Sequence, residues 1–137
     1  MIISSSADLL CVHPHQVSEF WPYVESYLKV ATERCGTWSI GEVRQQIDRG
    51  ALLWIVWNGE AVKAACVTRL VMDHRGKVLE VVACGGEGQD WRTLYEDIED
   101  YGRNEGCVIS RISGREGWKR IFKDYDLAWV TLEKDLS

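Results

Sequence analysis

The residues best able to do chemistry lie between positions 80 and 91. Glu80 is the only acidic side chain in the middle of the apolar run Val78-Leu79-Glu80-Val81-Val82. A carboxylate drawn into an apolar strand is a candidate general base. The alternative is a side chain that faces solvent or pairs with Lys63 or Arg69 across a hairpin. Directly after it comes Ala83-Cys84-Gly85-Gly86-Glu87-Gly88-Gln89-Asp90-Trp91. Glycines between a strand and a helix let the backbone approach a phosphate, and the first N–H groups of the helix face that anion. The same run can also be a plain sharp turn, and Glu87 places a negative charge beside any phosphate there.

Other constellations have simpler readings. Cys11, His13 and His15 alternate as metal ligands do, but no second Cys/His pair exists to complete a zinc site. A strand end followed by a helix start accounts for them, and no metal is expected. Cys84 beside the glycines has no partner for nucleophilic catalysis and reads as a structural thiol. Trp118, in Gly114-Arg115-Glu116-Gly117-Trp118-Lys119-Arg120, is the best candidate for an exposed tryptophan. It marks either a protein-docking surface or a solvated helix face.

The composition limits the classes of function. Sixteen basic against 21 acidic residues give a formal charge of −5. That argues against general nucleic-acid binding. The five cysteines form no C-x-x-C pair, and they read as reduced, mostly buried thiols. No apolar run nears the roughly 20 residues that span a bilayer, and the first residues lack a secretory signal. A soluble, cytoplasmic protein with no membrane partner is expected. The 137 residues suit one domain spanning 1–137.

The elements that must position these residues follow from periodicity. Residues 8–12 read as a short strand, and Pro14 opens a helix whose apolar stripe runs from Val17 to Ala31, with Pro22 as a kink or restart. Ser39 and Glu42 form a capping-box pattern at the start of a second helix, which Gly50 ends. Three strands follow at 51–57, 61–72 and 77–84, joined at Asn58-Gly59 and at Asp73-His74-Arg75-Gly76. Trp91, Leu94, Tyr95, Ile98 and Tyr101 mark a third helix. A strand at 107–113, a short helix at 114–123 and a final strand at 127–136 complete the order. The helix between the strands at 77–84 and 107–113 makes that pair parallel. The expected class is α+β: an α/β/α sandwich on a mixed, mostly antiparallel sheet of about six strands.

This order resembles the GNAT acyltransferase superfamily over nearly the whole chain. The C-terminal half is the most specific part: EDIEDYGRNEGC looks like the family's helix and its closing turn, then come a strand, a short helix and a closing strand. The GREGWKR element and the closing EKDL are similar to GNAT-like proteins of bacteriophage. The resemblance implies transfer of acetyl from acetyl-CoA to an amine, and often a homodimer. It implies that Val81, Val82 and Ala83 bond the pantetheine arm. Gly85, Gly86, Gly88 and Gln89 would hold the pyrophosphate, and Glu80 would be the base. Two positions depart from the family. Phe122 falls where a tyrosine usually protonates the thiolate, and one register puts Trp91 on a glycine of the pyrophosphate loop. These departures keep a second function open, a catalytically silent module for protein interaction.

Overall fold

The structure, a computed structural model, describes residues 8–35, 38–86, 91–114 and 117–137. Strand β1 (Asp8–Cys11) ends at His13, which caps a 3-10 turn (Pro14–Gln16) by accepting the His15 N–H on Nδ1 at 3.1 Å. The two imidazoles stack at 5.0 Å. The metal-like spacing is therefore a strand end and a helix start. Helix α1 (Val17–Cys35) follows without interruption at Pro22, which forfeits one hydrogen bond but does not end the helix.

Ser39 and Glu42 form the full capping box of α2 (Ile40–Asp48): the Glu42 N–H reaches Ser39 Oγ at 3.1 Å, and the Ser39 N–H reaches Glu42 Oε1 at 2.9 Å. The backbone bond from Ser39 holds the Glu42 carboxyl below its ordinary range. An antiparallel meander follows, β2 (Leu52–Trp57), β3 (Val62–Asp73) and β4 (Gly76–Gly86). Asn58 closes the first hairpin, its side chain accepting the N–H groups of Glu60 and Ala61. Helix α3 (Trp91–Asn104) then carries the chain to β5 (Ile109–Ile112), which lies parallel to β4, and α4 (Trp118–Ile121) is a single turn.

The sheet order is β1-β2-β3-β4-β5. One face is covered by α1 and α2, with Val24, Leu28, Val43 and Ile47 packed on Leu53, Ile55, Val67, Val82 and Ala83. The other is covered by α3 and the α4 turn, with Tyr95, Ile98 and Phe122 packed on Trp54, Cys66, Leu79 and Val81. Trp54 buries its indole there and donates Nε1–H to Thr68 Oγ1 at 2.9 Å.

The expectation of about six strands is corrected to five among the described residues. Residues 127–136 carry the apolar content of a strand but join no ladder. Leu127, Trp129, Val130 and Leu132 are all exposed, so neither face of this segment is buried. Alternation makes a strand only where a sheet edge and an apolar surface receive it. The cysteines also differ from expectation. Cys66 is buried, Cys84 and Cys107 are half-buried, and Cys11 is exposed.

Candidate functional site

The site begins with an irregularity in β4. Along β3 the partners run Arg69↔Glu80, Thr68↔Val81 and then Val67↔Ala83, so Val82 has no partner of its own. This is a β-bulge, in which two residues of one strand oppose one of the next and the bulged strand bends. The side chains record it. Val81 packs toward α3, whereas the successive residues Val82 and Ala83 both pack toward α1.

At the same point β4 parts from β5. The parallel ladder runs from Val78↔Ile109 to Val81↔Ile112 and stops there. Beyond it lies a small, narrow cleft. Val81, Val82, Ala83 and Cys84 form one wall; Ile112, Ser113 and Trp118 form the other; Ala31, Thr32 and Trp38 close one side. Beyond Val81, the backbone edge of β4 that faces this cleft has no ladder partner among the described residues. Unpaired strand edges offer N–H and C=O groups to an extended ligand.

Glu80 does not line this cleft; it precedes Val81, the last paired position and the first β4 residue of the cleft wall. Its two strand neighbours are both arginines, Arg69 on β3 and Arg111 on β5. Arg69 donates Nε–H to Glu80 Oε1 at 2.8 Å, with its NH2 group also 2.8 Å away, and Arg111 reaches Oε2 at 3.2 Å. Arg69, one of the two partners across the hairpin that the sequence offers, is thus paired with Glu80. Arg111 lies across α3 in sequence, 31 residues from Glu80, and sequence pattern alone did not single it out as a partner. Each guanidinium also lies over an indole. Arg69 is 4.9 Å from the Trp38 ring and Arg111 is 5.1 Å from that of Trp129.

Gly85 and Gly86 are not loop residues. They pair with Ala65 and Ala64 as the last two residues of β4. A Cβ on Gly85 would lie 2.6 Å from the Tyr27 carbonyl oxygen of α1. A Cβ on Gly86 would lie 2.4 Å from Ala64 Cα, and its φ of +140° suits glycine alone. Both glycines are therefore explained by close approach of α1 and β3 to β4. Gly88, Gln89 and the side chain of Trp91 lie outside the described residues.

Phe122 is buried, edge-on to both Tyr95 and Tyr125 at ring separations of 5.2 Å. It is a core residue and has no hydroxyl to offer. The nearby Tyr125 hydroxyl donates to the buried Glu99 of α3 and makes a 2.7 Å contact with Ser110 Oγ of β5. Burial pushes the Tyr95 phenol well above its ordinary range. Trp118, expected to be exposed, is half-buried against Phe122 at 5.6 Å and forms part of the cleft wall. Among the described residues no group of three or more His, Cys, Asp or Glu side chains is placed to hold a metal ion, and no helix is long and apolar enough to cross a membrane.

No family model and no curated protein matches the chain by sequence. Solved structures match it by shape. An aminoglycoside acetyltransferase from an uncultured soil metagenomic sample, in complex with sisomicin, aligns with a TM-score of 0.70 at 6% identity, covering 99% of this chain and 100% of the other. The chain has the GNAT acyltransferase fold. Two further structures agree. Glucosamine-6-phosphate N-acetyltransferase from Arabidopsis thaliana aligns at TM-score 0.67 and 9% identity, over 97% of this chain and 100% of that one. The aminoglycoside N-acetyltransferase AAC(6')-Iy in complex with CoA aligns at 0.68 and 8% identity, over the whole of both chains.

Proposed function

We propose that this chain is an N-acyltransferase that moves an acetyl group from acetyl-CoA to an amine. The observation that carries this reading is the parting of β4 from β5 at the Val82 bulge. It leaves a strand edge without a ladder partner among the described residues, running along a small cleft. A structural neighbour with this fold holds CoA, and others are acetyltransferases of amino sugars by name.

The residues divide the work as follows. The backbone edge of Val81, Val82 and Ala83 bonds the pantetheine arm. Gly85 and Gly86 bring β4 close against α1 and β3, and Gly86, Gly88 and Gln89 lead the chain to the α3 N-terminus, where the pyrophosphate meets unpaired N–H groups. Acetyl-CoA supplies a thioester: the acceptor nitrogen bonds its carbonyl carbon, the C–S bond breaks, the sulfur leaves as thiolate, and the nitrogen releases a proton. Glu80, the residue before the cleft wall begins at Val81, takes that proton once one of its arginine contacts is exchanged. No hydroxyl at position 122 protonates the thiolate, and water serves.

Buried Phe122 favours a second reading, a catalytically silent module that keeps the cleft but not the chemistry. The two separate in one experiment. CoA titrated into ¹⁵N-labelled protein should move the amide signals of Val82, Ala83 and Cys84, and acetyl-CoA with an amine should release free thiol. Movement without thiol release selects the silent module. Unmoved signals in β4 would overturn CoA binding in this cleft.

A further inference from the structure

Resting on the acyl-CoA reading for the identity of the cleft, we propose that the acceptor carries an anionic group beside its amine, a carboxylate or a phosphate, held by Arg69 and Arg111. The argument starts from charge. Arg69, Glu80 and Arg111 stand opposite one another on three adjacent strands, on the sheet face under α1 and α2. Asp73 at the end of β3 joins them, 3.0 Å from Arg111 and 2.8 Å from Arg75. Three guanidinium groups against two carboxylates leave one positive charge in a chain whose formal charge is −5.

Their setting is that of a binding site more than of a solvated surface. The side chains of Arg69 and Arg111 are 29% and 17% exposed, within reach of a small ligand but largely out of bulk water. The guanidinium carbons of Arg69 and Arg111 lie over the rings of Trp38 and Trp129, at 4.9 Å and 5.1 Å from the ring centres. Trp38 also lines the cleft, as do Val81 and Ile112, the residues that follow Glu80 and Arg111. Arg69 has a further anchor in Gln46 Oε1 of α2 at 3.2 Å. Hydrogen bonds to Glu80, and for Arg69 to Gln46, thus hold both forks in place next to strand positions that border the cleft.

The chemistry then discriminates among amines. A polycationic acceptor meets two guanidinium groups and is repelled. A neutral amine leaves both oxygens of Glu80 clamped. A carboxylate or phosphate matches the planar fork of a guanidinium and competes with Glu80 for it. Its arrival draws an arginine off Glu80 and leaves one carboxylate oxygen for the amine proton. Binding of the correct acceptor thereby prepares the base.

The test uses the full chain with saturating CoA. N-acetylglycine, O-phosphoethanolamine, ethanolamine and spermidine are titrated while the indole N–H signals of Trp38 and Trp129 are followed by NMR. The same free amines, with glycine in place of its acetyl derivative, are compared as acetyl acceptors by thiol release. The expected result is movement of both indole signals with an anionic probe and not with ethanolamine or spermidine. Glycine tells carboxylate from phosphate against O-phosphoethanolamine, and the preferred one should exceed ethanolamine by about 10-fold to 100-fold in kcat/KM. Arg111→Gln should remove most of that preference and Arg111→Lys should restore part of it. Should either variant fail to fold, the probe panel on the unaltered protein still decides. Protein that binds CoA but prefers ethanolamine or spermidine, or whose indole signals ignore both anionic probes, overturns the proposal. Protein that ignores CoA yet binds an anionic probe through Arg111 keeps the anionic site and removes the acyl-CoA reading.

Discussion

From Val78 to Val81, β4 is held on both edges, by β3 and by β5; from Ala83 to Gly86, among the described residues, only β3 pairs with it. The first half carries a charged ladder, Arg69–Glu80–Arg111. The second half carries small residues, Ala83 through Gly86, pressed against α1 and β3. A single bulged residue separates the two. The same strand therefore presents a polar, doubly paired base and a lean, singly paired wall. A transfer site needs both, one to manage a proton and one to admit an extended ligand beside its backbone.

Substitutions that act on one half and spare the other sharpen this contrast. The largest expected effect is at Gly86. A valine there collides with Ala64 and imposes a strained φ, so Gly86→Val should lose about 4 kcal/mol, read as a fall in the urea midpoint. A loss under about 1 kcal/mol would mean that the second half is not tightly held. Next comes Glu80→Gln in the first half. It should lower kcat by about 100-fold while CoA still raises the melting temperature, because the β4 edge from Val82 onward is left intact. An unchanged kcat would remove Glu80 from the chemistry and leave it a ladder residue.

The smallest effect is at Asp73, where the hairpin meets Arg111. Hydrogen bonds from the Arg75 side chain and backbone hold the Asp73 carboxyl well below its ordinary range. A depressed folded-state value gives stability that is complete above the unfolded range, near pH 4, and is lost as pH falls below it. Urea midpoints of the unaltered protein and Asp73→Asn should therefore draw together as pH falls from about 4 to the lowest pH at which the protein stays folded. A constant difference over that interval would show that Asp73 does not titrate with the fold.

Much of the frame was legible in the residues. The capping box at Ser39 and Glu42, the Asn58-Gly59 hairpin and the β4-α3-β5 crossover are local signals, and each appears as expected. The bulge was not legible, because Val81, Val82 and Ala83 are all apolar and an unbroken apolar run hides a change of face. Arg111 was missed as the second partner of Glu80 because its contact is made through a parallel pairing across α3. Gly85 and Gly86 read as a loop because glycine is the usual loop residue. Their reason is the close approach of Tyr27 and Ala64, which only the packed structure shows. The segment 127–136 has the apolar content of a strand without the surface that would make it one.

The central claim is that the cleft between the two strands receives acyl-CoA. The most direct measurement is a thermal melt of the full chain with and without acetyl-CoA, with free CoA as a second ligand. A ligand at about 100 times its Kd adds about 2.7 kcal/mol, which raises the midpoint of a domain this size by roughly 6–12 °C. The account predicts a rise of that order with both ligands. No rise at millimolar concentrations of either would contradict it.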